Sequence, residues 1–292
     1  TDKKTCPATA GRRFQYTNQS IKMDYLQKYN YVPSEETISR RIQAIAGSLE
    51  SVVSPAVLKK CFSLMDLTTL HTNDTDESVL KLVRKVNDLP SRYPDYPLPA
   101  SICVYPNFAH VVRENRADEN VHVTTVSSCF PSAQSFLEVK VRECELAVED
   151  GADEIDIVLA LNSFLAGDYE KAAGEIKAMK AAIDTKAAAL GRKVILKAIL
   201  ETGLLVSPEN IAKASFLAME AGADFIKTST GKVEVNATPP AAYVMCQCIR
   251  KYYEATGRKV GFKAAGGIST PEEVLKYYQL AVQIVGLEHV TN

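Results

Sequence analysis

The chain has 292 residues, with 34 Lys and Arg against 35 Asp and Glu, for a net charge of -1. A hydrophobic fraction of 46% and a charged fraction of 24% suit a globular protein with a large core. The charge balance excludes a basic nucleic-acid surface or a polybasic membrane patch. No run reaches the roughly 18 apolar residues of a membrane span, and Thr1-Asp2-Lys3-Lys4 leads into no apolar targeting core. The cysteines (Cys6, Cys61, Cys103, Cys129, Cys144, Cys246, Cys248) are odd in number and irregularly spaced. That pattern fits reduced thiols in a cytoplasmic protein rather than a disulfide framework. Cys246 and Cys248 have no second pair to complete a zinc site, so no metal is expected. They read as one core thiol and one surface thiol on a helix.

Residues 1–55 form an arm that starts polar and becomes helical. Ser34 precedes two acids in the manner of a helix start, and Ile38, Ile42 and Ile45 recur at helical spacing. Residues 56–292 alternate short β-rich runs with amphipathic helices, the pattern of βαβ units on a parallel sheet. The runs are 61–66, 101–105, 121–126, 154–159, 193–199, 223–227 and 260–263. Helices are predicted over 76–87, 135–149, 169–189, 208–221 and 239–253. Gly-Ala-Asp occurs twice, at 151–153 and 222–224, each time between a helix and a strand. Glycine there can end the helix in a left-handed turn.

Catalytic groups of a parallel barrel come from the C-terminal ends of its strands and the loops that follow. On this parse Asp66 ends the first strand and Asp156 lies in the fourth. Lys197 lies in the fifth, Lys227 ends the sixth and Lys263 ends the seventh. Strands normally reject charge, because desolvating an unpaired ion is costly. Structural ion pairs or outward-snorkelling lysines are the plain alternative. Lys227 runs into Thr228-Ser229-Thr230-Gly231-Lys232, and Lys263 into Ala264-Ala265-Gly266-Gly267-Ile268-Ser269-Thr270-Pro271. Such loops serve either as tight turns or as an oxyanion cradle, with Pro271 opening a helix whose N-terminus favours phosphate. Neither a Walker A motif nor GxGxxG is present. Paired lysines have a chemical use. A Schiff-base lysine must attack as the neutral amine, and a neighbouring ammonium disfavours its protonation. Asp156 is the natural proton relay, and Asp153 and Glu154 are expected at the strand start or facing outward.

The segments Leu64-Met65-Asp66-Leu67-Thr68-Thr69-Leu70, Ile102-Cys103-Val104-Tyr105-Pro106 and Gly151-Ala152-Asp153-Glu154-Ile155-Asp156 resemble the deoxyribose-phosphate aldolases. So do Leu196-Lys197-Ala198-Ile199-Leu200-Glu201-Thr202-Gly203, Phe225–Lys232 and Gly261-Phe262-Lys263. The match spans roughly residues 55 to 285. The resemblance implies a (β/α)8 TIM-type barrel carrying an N-terminal helical arm. It implies reversible cleavage of 2-deoxy-D-ribose 5-phosphate to acetaldehyde and glyceraldehyde 3-phosphate, without metal or organic cofactor. It makes Lys227 the Schiff-base residue, Lys263 the lysine that tunes it and Asp156 the proton relay. Asp66, Cys103, Lys197 and Thr230 would line the substrate pocket, and Gly231, Lys232, Gly266 and Gly267 would hold the phosphate. A homodimer or higher homo-oligomer is expected on the same ground. Two departures stand out. Ala264 replaces a family proline, and no eighth strand with a Gly-Ala-Ser-Ser type loop is evident after Leu287. They motivate two alternatives: a Schiff-base lyase for another phosphosugar, and an aldolase-like barrel that binds or scaffolds with weak or no catalysis.

Overall fold

The structure, a computed structural model, describes residues 24–290; Cys6, Thr1–Lys4 and the rest of residues 1–23 lie outside it. Seven parallel strands run in chain order across one curled sheet: β1 Asp66–Thr68, β2 Ser101–Val104, β3 His122–Val126, β4 Glu154–Val158, β5 Ile195–Ile199, β6 Phe225–Lys227 and β7 Gly261–Lys263. Helices connect them, and the later helices start by a shared device. Ser207, Thr238 and Thr270 cap the helices Pro208–Glu220, Pro239–Thr256 and Pro271–Val285, each followed by proline in the first turn. The hydroxyl accepts an otherwise orphaned amide, worth about 1 kcal/mol, and proline presets the helical φ. The outward faces of the strands, among them Ile102, Ile155, Ile157, Leu196, Ala198 and Ile226, are fully buried under these helices. Each large aliphatic side chain so buried contributes about 1.5–3 kcal/mol.

The predicted helices at 76–87 and 169–189 form over those residues, and the other three lie within three residues of the predicted ends. The first strand is displaced. Residues 61–63 end a helix, Pro55–Ser63, that Ser54 caps, and β1 begins at Asp66 rather than ending there. The Ser54-Pro55 start and the spacing of Val57, Leu58 and Cys61 fit a helix, which outweighs the β-rich look of Cys61–Asp66. Among the described residues no eighth strand is present, so β1 and β7 are the sheet's edges. Lys263 of β7 reaches across that gap, donating to the Leu64 carbonyl at 2.8 Å. From the arm, the helix Glu35–Gly47 starts at the Ser34 cap and buries Ile38 and Ile45, with Ile42 packed against the same core. Tyr29 stacks on Phe216 at 4.3 Å and donates its hydroxyl to Glu220. Among the described residues no helix is long and apolar enough to cross a membrane. Cys246 and Cys248 are both buried, which corrects the expected surface thiol.

The Gly-Ala-Asp echo is a structural repeat. Gly151 and Gly222 adopt φ of +108° and +105°, a region that disfavours any Cβ. Asp153 accepts from Val123 N and Asp224 from Leu196 N, both at 3.0 Å, so each carboxylate caps the neighbouring strand. Arg192 then donates to Gly151 O, Ala152 O and Asp153, while Arg258 donates to Gly222 O, Ala223 O and Asp224. Each arginine comes from a Gly-Arg-Lys triplet, 191–193 and 257–259, so the echo extends to a second motif, 40 residues on in the first case and 35 in the second.

Candidate active site

Side chains alternate between the faces of a strand, and the register therefore decides which residues share the interior. Asp66 pairs with Ser101, Cys103 with Thr124, Thr124 with Glu154, Asp156 with Lys197 and Lys227 with Lys263. The charged side chains among them meet inside the curl with opposite signs adjacent. Lys263 Nζ lies 2.7 Å from Asp66 Oδ1, and Lys197 Nζ lies 3.1 Å from Asp66 Oδ2. Lys197 also contacts Glu154 Oε2 at 2.5 Å and Asp156 Oδ1 at 3.1 Å. Asp156 Oδ2 accepts from Lys227 Nζ at 2.6 Å. Three lysines and three carboxylates thus neutralise one another, as buried ions require. Glu154 also bonds His122 Nδ1 at 2.7 Å, and His122 is partly exposed at the strand starts.

The cluster sets the ionisation of its members. Burial favours a neutral Asp66, but Lys197, Lys263 and Lys227 override it and hold the carboxyl far below its usual range. Glu154 likewise falls to about 2, despite burial, through Lys197 and His122. Burial pushes the Cys103 thiol up to about 12, so it is a neutral wall beside the lysines. Burial works against charge on Lys227 as well, yet the adjoining Asp156 carboxylate outweighs it and the amine's pKa is raised. The contact with Asp156 thus favours the ammonium form of Lys227 at rest. Lys197 also works against that charge; the nearest strong charge is the Asp156 carboxylate, and Lys263 is engaged by Asp66.

Lys227 and Lys263 open into a cavity of about 580 Å³. Asp66, Thr230, Gly231, Lys232, Gly266 and Gly267 line it too, while Asp156, Lys197 and Cys103 lie beneath its floor. The Thr228 hydroxyl donates to Ala265 O and accepts from Ala265 N, tying the loops after β6 and β7 together. Gly266, at φ +87°, has no room for a side chain, because a Cβ would lie 2.6 Å from Asn236 Oδ1. Gly231 faces it, at φ +79°. Lys232 Nζ donates to Leu70 O at 2.5 Å, closing the mouth toward the loop after β1. Backbone amides and an ammonium at such a rim suit an anion. The helix Pro271–Val285 begins at Pro271, but its end is occupied. Glu273 accepts from Ser269 N at 2.8 Å and Thr270 N at 3.1 Å, so those amides are not offered to a ligand.

Comparison with known proteins bears on what such a site does. The family model described as DeoC/LacD family aldolase matches residues 61–287. A Caenorhabditis elegans protein named "Putative deoxyribose-phosphate aldolase" is 43% identical over 256 residues, 87% of this chain and 81% of that protein. The chain belongs to the DeoC/LacD aldolase family. Among solved structures, the aldolase QR15 superposes at a TM-score of 0.60 with 27% identity, over 75% of this chain and 87% of its own. The tetrameric deoxyribose phosphate aldolase of Aeropyrum pernix superposes at 0.62 over 87% of this chain and 97% of its own. At 24% identity that likeness speaks for the fold alone.

In this aldolase, three residues near the site escaped sequence reasoning. Glu154 does open β4, as expected, but it points inward. Its spacing of two from Asp156 is the signal that places both on one face. His122, at the far end of Glu154, carries no local mark. Glu201 was visible only as part of a segment, yet its carboxylate accepts from both the backbone and the hydroxyl of Thr230. Asp153 faces outward onto Arg113, Arg116 and Arg192.

Proposed function

We propose that this aldolase reversibly cleaves 2-deoxy-D-ribose 5-phosphate to acetaldehyde and glyceraldehyde 3-phosphate through an imine on Lys227. The observation that carries the reading is Lys227 Nζ at 2.6 Å from a fully buried Asp156, at the floor of a cavity it shares with its register partner Lys263. Asp156 is placed to take the Lys227 proton, which frees the amine to attack the aldehyde carbon of the open-chain sugar. Loss of water from the carbinolamine gives the imine. Removal of the proton from the 3-hydroxyl then breaks the C2–C3 bond, releasing glyceraldehyde 3-phosphate and leaving an enamine on Lys227. Protonation of that enamine and hydrolysis release acetaldehyde. Lys263 and Asp66, 2.7 Å apart in the cavity wall, are positioned to move the hydroxyl and carbon protons. The rim formed by Gly231, Lys232, Gly266 and Gly267 suits the phosphate. Every step uses side chains of this chain and invokes no cofactor.

A homo-oligomer is proposed alongside it. Phe136 and Leu165 lie on the surface at 80% and 54% exposure, and the Aeropyrum pernix relative is described as tetrameric. A cytoplasmic setting accords with the free thiols at Cys61, Cys103, Cys129, Cys144, Cys246 and Cys248. Residues 24–55 are proposed to belong to the barrel rather than to a separate domain, since Tyr25, Tyr29, Ile38 and Ile45 enter the barrel's core. The test is release of glyceraldehyde 3-phosphate from 2-deoxyribose 5-phosphate by the purified protein, lost on Lys227→Leu. Turnover of a different phosphosugar with none of this one would overturn the substrate assignment.

A further inference from the structure

Glu201 lies two residues beyond β5 and is 2% exposed. Its backbone is left-handed, at φ 55° and ψ 59°. Residues with a Cβ avoid that region unless the surroundings impose it, and imposed cases gather at functional sites. What imposes it here is the loop that follows Lys227. Thr202 N donates to Thr228 O at 2.9 Å. A Cβ on Gly203 would lie 2.0 Å from Val235 O, so backbone packs directly on backbone. The Glu201 carboxylate then takes Thr230 from two sides. Oε1 accepts from Thr230 N at 3.1 Å and Oε2 accepts from Thr230 Oγ1 at 2.5 Å.

A hydroxyl has one proton and two lone pairs. The proton of Thr230 is committed to Glu201, and one lone pair receives Lys232 N at 3.1 Å. Thr230 belongs to the cavity wall, and the capacity left on its Oγ1 is that of an acceptor. An acceptor repels phosphate oxygens and binds a hydroxyl proton. The same contact holds Thr230 and Lys232 in one arrangement on either side of Gly231.

We propose that Glu201 is a positioning residue that fixes Thr230 Oγ1 as an acceptor for a substrate hydroxyl, so that the site selects a hydroxylated sugar phosphate over a plain aldehyde. The inference rests on the aldolase reading above. Its test compares wild type, Glu201→Ala and Glu201→Gln in three measurements: kcat and KM on 2-deoxyribose 5-phosphate, the rate of borohydride trapping of acetaldehyde on Lys227, and hydrogen exchange at the Thr230 and Lys232 amides. In Glu201→Ala the fall in kcat/KM for the sugar phosphate exceeds the fall in trapping rate by at least about tenfold, the scale of one hydrogen bond to a charged group. Exchange at both amides rises by a similar factor. Glu201→Gln keeps an acceptor oxygen and restores most of the amide protection, while kcat/KM remains depressed because the Thr230 proton is no longer held by a carboxylate. Equal losses in turnover and trapping, or no loss in either, overturn the proposal. If the wild type traps no acetaldehyde, it is the aldolase reading that fails. The exchange data still decide the clamp in that case: unchanged protection in Glu201→Ala removes it.

Discussion

Asp156→Asn removes one negative charge from between two buried ammonium groups while keeping the shape of the side chain. In the wild type, Asp156 lies 2.6 Å from Lys227 Nζ and 3.1 Å from Lys197 Nζ. Lys197 keeps Asp66 and Glu154 after the change, whereas Lys227 loses its contacting carboxylate. Opposite charges about 4 Å apart attract by about 4 kcal/mol at an effective dielectric constant near 20. Breaking a buried pair from one side typically costs about 3–5 kcal/mol. The variant is expected to unfold with about 3 kcal/mol less free energy at pH 7. The sign reverses with pH. In the wild type, Lys227 has a raised pKa, so its contribution is complete below the unfolded lysine value near 10.4 and fades above it. In Asp156→Asn, burial lowers the pKa below that value. The unfolded chain then binds more protons than the folded one, and stability rises as pH climbs toward 10.4. Urea unfolding of both proteins at neutral and alkaline pH reads this directly. A stability deficit that is the same at both pH values, or absent, refutes the assignment of a charged Lys227 held by Asp156.

Glu154, with a pKa lowered from 4.5 to about 2, contributes stability that is present above its unfolded pKa and lost as pH falls toward 2. The shift corresponds to about 3 kcal/mol, so acid unfolding of the wild type should show this loss between about pH 5 and pH 2. Glu154→Gln, being destabilised already at pH 7, should lack that part of the slope; identical acid slopes would contradict it. Gly261→Ala places a Cβ 2.2 Å from the Phe225 ring, two register positions before the Lys227–Lys263 pair. It should cost about 1–3 kcal/mol by overpacking and slow turnover by displacing β7. Phe225→Leu in the same chain should recover part of both losses, and a double variant no better than the single one would show that the ring is not the obstacle.

The charges of the site were legible because they break a rule. Lys197, Lys227, Lys263 and Asp156 fall inside β-rich strings that should be apolar, and the strand register is what brings them to one face. Asp66 was placed in the correct neighbourhood by the wrong element, since a helix opened by Ser54-Pro55 ends just before it. What the string of residues could not carry was the pairing. Whether Lys227 rests charged depends on which ion lies nearest, and Asp156 comes from a strand 71 positions away in sequence. Glu201 escaped for a related reason: its role lies in a left-handed backbone and a contact 29 residues distant. The helix at Pro271 was correctly foreseen, but that Glu273 takes the Ser269 and Thr270 amides just before it is a matter of side-chain reach.

The central claim is that a single amine, that of Lys227, carries the reaction. The most direct measurement is mass spectrometry of the intact and digested protein after incubation with acetaldehyde and borohydride. The account predicts one ethyl group per chain, on the peptide containing residue 227 and absent from Lys227→Leu. A stable adduct on Lys197 or Lys263 with residue 227 unmodified, or equal labelling of the Lys227→Leu protein, would contradict it.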